Sequence, residues 1–179
     1  MIETVVESIR VSLVTQHRVV ILKEVDGERH LPIWIGAYEA EAIAMELQGV
    51  SAARPLPYDL IKSVIGDMGG AVERILVTDM SQDVYYARIV IQQNDRSVEI
   101  DARPSDAIAL AVRARVPILV DDGVMERCGV TFGEGDGEEE ATVTAEAEAG
   151  ERVDEEQLSV FRDFINTLDL DDFDKKKGN

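Results

Sequence analysis

The chain has 179 residues, 45% of them hydrophobic, and carries 36 acidic against 18 basic side chains for a formal net charge of −18 at pH 7. That length holds one ordinary domain plus an appendage, and the acidic balance argues against a passive nucleic-acid binder, which needs Lys and Arg to displace phosphate counterions. One cysteine, Cys128, excludes an internal disulfide and a Cys-rich zinc site; with neither a signal-like start nor a bilayer-length apolar run, the expectation is a cytoplasmic protein with no membrane contact.

In chain order, "SIRVSL" at 8–13 alternates Ile9, Val11 and Leu13 with polar residues, the period of a half-buried strand. "RVVILKEVDGERHLPIWI" predicts two more strands around a hairpin turn at Asp26-Gly27. "YEAEAIAMELQG" then places Ala40, Ile43, Ala44 and Leu47 on one helical stripe and stops at Gly49, a favourable residue just past a helix end. A second helix follows in "PYDLIKSVIGDMGG", with Leu60, Ile61, Val64, Ile65 and Met68 aligned for burial and Gly69-Gly70 as its stop.

The order then begins again. "VERILVTDM" echoes "VESIRVSLV", "VYYARIVIQ" follows, and "SVEID" comes after a turn at Asn94-Asp95. A displacement of 65 positions sets Glu41-Ala42-Ile43-Ala44-Met45 over Asp106-Ala107-Ile108-Ala109-Leu110, with Ile33 and Ile35 over Val98 and Ile100. The pattern predicts an α+β domain over 1–130, an internal duplication of two β3α2 repeats whose last helix is "DDGVMERCG".

Past Val130 the composition changes. From Thr131 to Asn179 there are 16 acidic and 5 basic residues, so the tail holds most of the excess charge. Residues 131–153 carry few large apolar side chains and read as an acidic flexible linker. Residues 154–174 recover a helical stripe at Leu158, Phe161, Phe164, Ile165 and Leu168, with Asp154 placed to cap it; 175–179 read as a basic disordered end. Such a helix packs on its own domain, on a second copy, or on a protein partner.

Most catalytic motifs are missing: there is no GxxxxGK[ST], HExxH or GxSxG, and "GEGDG" lies in the acidic linker. The tail "DLDDFDKKKGN" lacks the glycine and closing Glu of a calcium loop. His17 and His30 have no neighbouring His or Cys, and Trp34, facing opposite to Ile33 and Ile35, reads as a packing residue. What remains is "DARPSDAIALAV". With Pro104 as the first helical residue, Asp106 becomes the third, where a carboxylate answers free backbone N–H groups and the helix dipole. Capping is therefore one reading. The other is chemical: Asp101, Arg103, Ser105 and Asp106 meet at one corner, and Arg54 with Asp59 in "ARPLPYDLIKS" repeats its elements. Converging carboxylates can hold Mg²⁺ or Mn²⁺, and Arg can grip phosphate.

"LPIWIGAYEAEAIAMELQGV", "RPLPYDLIKSVI" and "IDARPSDAIALAVRARVPILV" together resemble the bifunctional nuclease family over roughly residues 5–130. The resemblance implies that the two repeats form a single barrel-like mixed sheet flanked by helices, and that the chain is a nuclease acting on RNA and DNA as transient substrates. Family members commonly have Thr-His where this chain has Pro57-Tyr58, so a general base available to them is replaced here by a phenol. On this basis the candidate catalytic residues are Asp101, Arg103, Ser105 and Asp106, and the candidate substrate contacts are Arg54, Tyr58 and Asp59. Asp101 and Asp106, with Glu39 or Glu41 from the companion repeat, are the candidate ligands of a divalent ion. The alternative is a regulatory or stress-related interaction module that engages a protein partner through the acidic tail and C-terminal helix. A homodimer, the commonest assembly, is the expected oligomer.

Overall fold

Three β-branched stretches open the chain as an antiparallel meander: β1 (Ile2–Val11), β2 (Arg18–Glu24) and β3 (Arg29–Ile35). The computed structural model describes residues 1–11 and 17–131; Leu13, nearly all of the linker, the C-terminal stripe and the basic end lie outside the described residues. Strand β1 starts six residues before the alternating stretch begins, and it accommodates a bulge between Val6 and Ser8.

Helix α1 (Ala37–Leu47) follows β3, and its end is fixed by glycine chemistry. Gly49 sits at φ +68° with its N–H on the Glu46 carbonyl, while Val50 N–H reaches the Met45 carbonyl, the paired bonds of a Schellman stop. Helix α2 (Pro57–Asp67) comes next, then a second meander: β4 (Gly70–Ser81), β5 (Val84–Gln93) and β6 (Arg96–Ala102). The described residues end with α3 (Pro104–Ala114), β7 (Ile118–Val120), α4 (Asp122–Cys128) and β8 (Val130–Thr131).

Among the described residues the eight strands form one mixed sheet in the order β6-β5-β4-β7-β1-β2-β3-β8, with β4 and β7 the only parallel pair. The sheet is open. Among the described residues β6 pairs only with β5 and β8 only with β3, so the expected barrel-like closure is replaced by a sheet with two ends. The two meanders are joined through β7, a strand too short for its apolar run to announce a period.

Spacing within the two halves corrects the sequence overlay. β3 spans 29–35 and α1 spans 37–47, while β6 and α3, the elements the overlay pairs with them, span 96–102 and 104–114, a displacement of 67 residues rather than 65. The third helical residue of α1 is thus Glu39, and Glu41 lies two places beyond the position that Asp106 holds in α3.

The core lies between the sheet and α3. Leu22, Leu31, Ile33, Ile75, Val77 and Val120 come up from the strands and meet Ile108 and the alanines 107, 109 and 111. Five consecutive residues of α3, Ala107 to Ala111, are buried, since the helix has α1 and α2 beside it and β4 and β5 beneath. Alanine at three of these positions lets the neighbours approach closely. The stripe on α2 behaves otherwise: Leu60, Ile61, Val64 and Met68 are 58%, 43%, 46% and 68% exposed, while Tyr58 in the first turn is buried. Periodicity found the apolar face but not what covers it. No helix among the described residues is long and apolar enough to cross a membrane.

Candidate functional site

Three helices present the same arrangement at their start. In α1, α2 and α3 the third residue is acidic, Glu39, Asp59 and Asp106, and in α2 and α3 a proline leads the first turn. Their carboxylates are put to different uses. Asp59 caps, because its Oδ2 accepts the Leu56 backbone N–H at 2.8 Å. Asp106 takes no backbone N–H as a cap; its partners are side chains. Helix capping therefore accounts for Asp59 and leaves Asp106 to be explained.

The Arg103 guanidinium holds Asp106 in a two-point grip, Nε to Oδ2 at 2.7 Å and Nη2 to Oδ1 at 3.1 Å, and its Nη2 also donates to Glu39 Oε1 at 2.8 Å. One arginine thereby ties the beginnings of α1 and α3 together. These contacts raise the Arg103 pKa, Asp106 contributing most, so the group is a permanent cation. Its Nη1 makes no hydrogen bond among the described residues, and the side chain is 68% exposed. Two guanidinium N–H groups thus point outward from a clamped base.

From α2, the Tyr58 hydroxyl donates to Asp106 Oδ1 at 2.9 Å. Burial first, and then this bond and the Asp106 charge, push the Tyr58 pKa well above the ordinary phenol value. Tyr58 is therefore a proton-bearing donor at neutral pH and holds Asp106 in place; it does not replace the general base that a histidine would supply. Burial, followed by the neighbouring Cys128, also raises the pKa of Tyr85. Both phenols stay protonated in the folded state at a pH where the unfolded chain ionises, so stability is full below pH ~10 and is lost as pH rises above it. The expected slope is about 1.4 kcal/mol per pH unit for each tyrosine. Urea titrations between about pH 9 and 11 should show Tyr58→Phe losing its share of that slope; an unaltered slope would refute the assignment.

Beneath the corner lies a residue that the sequence reading passed over. Arg113 is only 3% exposed, and its guanidinium joins all three helices. Nε donates to Asp59 Oδ1 at 2.9 Å, Nη1 to the Ala109 carbonyl at 3.0 Å and Nη2 to the Ala42 carbonyl at 2.9 Å, with the Tyr58 ring 5.4 Å from the guanidinium carbon. The available signal was its spacing: Arg113 falls four residues after Ala109, on the face of α3 that is otherwise apolar.

The remaining candidates are dispersed. Ser105 is buried in the first turn of α3. Asp101 is exposed on edge strand β6, in register with Arg88, and Glu41 is exposed on α1. Among the described residues no three His, Cys, Asp or Glu side chains gather to hold a metal ion, so Asp101, Asp106 and Glu41 do not form the expected ligand set. Arg54 is exposed between α1 and α2 and lines a cleft of about 470 Å³. His30 is buried with Nε2 3.3 Å from Glu7, and Trp34 is partly exposed with its ring in an edge contact with His17.

Fold and site together define a single α+β domain whose polar centre is a three-helix junction organised by two arginines. The bifunctional nuclease domain matches residues 20–133, and the chain belongs to that family. An uncharacterized protein of Mycobacterium tuberculosis is 37% identical over 171 residues, 96% of this chain and 97% of the relative. Bifunctional nuclease 2 of Arabidopsis thaliana is 35% identical and bifunctional nuclease 1 of Oryza sativa subsp. japonica 32%, each over 109 residues. Those matches cover 59% of this chain and 33% of each plant protein, so the chain corresponds to about a third of their length. Every residue of the junction lies inside the matched domain.

Proposed function

We propose that this chain is a nuclease that hydrolyses phosphodiester bonds of RNA and DNA at the junction of α1, α2 and α3. The observation that carries the reading is the state of Arg103 within a bifunctional nuclease domain: clamped by two carboxylates and exposed, with two N–H groups unspent. In this reading, the free edge of Arg103 binds the phosphoryl oxygens and stabilises the charge that develops on them. Asp106 accepts three of the roughly four hydrogen bonds a carboxylate can take. Its remaining Oδ2 lone pair receives the proton of the attacking water as the new P–O bond forms, and the displaced strand oxygen takes its proton from solvent. Tyr58, kept protonated, fixes Asp106. The two meander-plus-helix units are duplicated halves, each supplying one carboxylate to the shared arginine.

The donor set does not suit a resident divalent ion. Asp106 and Glu39 are bridged by one guanidinium that occupies oxygens of both carboxylates, so Mg²⁺ or Mn²⁺ would have to displace Arg103 to be held by the pair, and no step above passes through a metal. Labelled single-stranded RNA and DNA incubated with highly purified protein in Mg²⁺, Mn²⁺ or EDTA test the reading. Cleavage that survives EDTA is expected. No cleavage in any condition overturns the nuclease; loss in EDTA alone overturns the metal-free account.

A second reading, a homodimer formed through α2, has one observation in its favour: the outward apolar face of that helix; the interaction module built on the acidic tail and C-terminal helix falls outside the described residues. A second copy of this chain is the occupant proposed, since a stripe running the length of a helix can pair with itself about a two-fold axis. Sedimentation should find a dimer for the wild type and a monomer for Leu60→Glu/Val64→Glu, whose exposed positions leave the fold intact. A monomeric wild type at high concentration rules this interface out.

A further inference from the structure

We infer that the cleft beside α2, distinct from the Arg103 corner, is a binding subsite for the phosphate backbone of a single nucleic-acid strand, with Arg54 and Arg115 as its anion contacts. The inference rests on the nuclease reading and extends it to a second set of residues. The cleft is bounded by the end of α1, the 51–56 loop, the first turns of α2 and the end of α3. Its charged side chains are Glu46, Arg54, Asp59, Arg113 and Arg115. Arg113 and Asp59 neutralise each other at 2.9 Å, which leaves two arginines against one glutamate. A net positive cleft is unexpected in a region that holds 20 acidic and 13 basic residues up to Val130. Neither Arg54 nor Arg115 makes a hydrogen bond or ion pair among the described residues, so both guanidinia retain their full donor capacity for a ligand. Ser51 and Ser63 add hydroxyls to the same wall.

The backbone at Arg115 is a second, independent observation. Helices α1 and α2 end on glycines at φ +68° and +77°, where a left-handed residue costs least; α3 ends on Arg115 at φ +57° and ψ +49°. An arginine in that conformation is held at a cost of about 1–2 kcal/mol, which glycine would avoid. Strain of this kind is retained where the side chain is needed. Tyr58 and Asp59, adjacent on α2, separate the two sites, the first turned to Asp106 and the second to Arg113. From Asp106 to Arg115 is roughly 13 Å along α3 at 1.5 Å per residue. A stacked strand at about 3.4 Å per phosphate crosses that distance in about four steps.

The test uses the full chain and compares Arg54→Gln, Arg115→Gly and their combination for binding of a short labelled single-stranded RNA, measured with Asp106→Asn also present so that the strand stays intact, and, without that change, for the KM of its cleavage and for thermal stability. Arg115→Gly should melt at the wild-type temperature or higher while binding weakens. The double variant should bind about ten-fold more weakly or more, raise KM correspondingly and leave kcat unchanged. Its salt slope between about 50 and 200 mM should fall by about 0.7 for each arginine removed. Wild-type affinity, KM and salt slope in the double variant would overturn the subsite and leave the nuclease standing. A wild type that neither binds nor cleaves removes the nuclease reading and the subsite with it. Inorganic phosphate that stabilises the wild type through these arginines, with no strand binding at all, would make the cleft a free-phosphate site and overturn its assignment to a strand.

Discussion

Arg113→Ala is expected to destabilise the domain by about 3–5 kcal/mol, the cost of breaking a buried, hydrogen-bonded charge pair by removing one partner. The side chain is 3% exposed and its three bonds end on three different helices, so its loss is felt at every joint of the junction. The Ala42 and Ala109 carbonyls lose their guanidinium donor in a region that water does not reach, and Asp59 loses the charge that balances it. For a domain of this size the fall in Tm is roughly 10–20 °C. Arg113→Lys should recover little, because an ammonium is a compact charge and cannot reproduce a planar fork that spans three acceptors. Asp59→Asn, by contrast, should cost only about 1 kcal/mol, as its side chain is 38% exposed and the amide oxygen can still accept from Arg113. Urea unfolding of the three variants checks the order. If Arg113→Ala fell within 1 kcal/mol of wild type, as a surface substitution does, the junction would owe its stability to apolar packing alone.

The strands and helices of this domain were legible where period and punctuation agree. Apolar runs on either side of a turn found β2 and β3, Asp26-Gly27 marked that turn, and Gly49 and Gly69 marked two helix ends. The hairpin between β4 and β5 turns at Gln82 and Asp83, both at positive φ without a glycine, so its usual signal is absent. Strand β7 escaped because three residues carry no period, although it joins the two halves of the sheet. The overlay of 65 positions followed the Ala/Ile similarity of α1 and α3 and not the position of their first turns, which lie 67 residues apart. That overlay set Glu41 against Asp106, whereas the third residue of α1 is Glu39, the other of the two glutamates offered as ligands. Barrel closure failed for another reason. Whether a sheet's ends meet depends on twist and stagger over all its strands, a property no local motif encodes. At the site, "RPSD" was read for both its roles, and the roles separate only in three dimensions. Asp59 and Asp106 occupy the same helical position, yet one carboxylate turns to its own backbone and the other to side chains of neighbouring helices. Arg113 shows the converse: an ordinary charged residue in sequence that becomes structural once burial is known.

Asp106→Asn should lower kcat for strand cleavage by about 10²–10⁴-fold, the range of a general base, with Asp101→Asn indistinguishable from wild type. The two aspartates bracket the same four residues, and sequence alone ranks them equally. Geometry separates them. Asp101 is exposed on the outer strand of the sheet, whereas Asp106 lies where Arg103, Tyr58 and, through Arg103, Glu39 converge. An amide at 106 can still accept from Tyr58 and from one edge of Arg103, so folding and substrate binding should be retained. What it cannot do is take a proton or balance the guanidinium, and the loss should therefore appear in kcat more than in KM. Tyr58→Phe should give a smaller decrease, because it removes one of the three bonds that position the carboxylate and leaves the carboxylate itself. Arg103→Lys separates binding from proton transfer: the charge remains but the two-point grip on Asp106 and the free edge for phosphate are both lost. It should raise KM as well as lower kcat. Full cleavage by Asp106→Asn in a preparation shown to be folded would reject Asp106 as the base and return "RPSD" to the role of a helix start with an ion pair. If Asp101→Asn were the inactive variant, the centre of the chemistry would lie on the β6 edge and the junction would be scaffold.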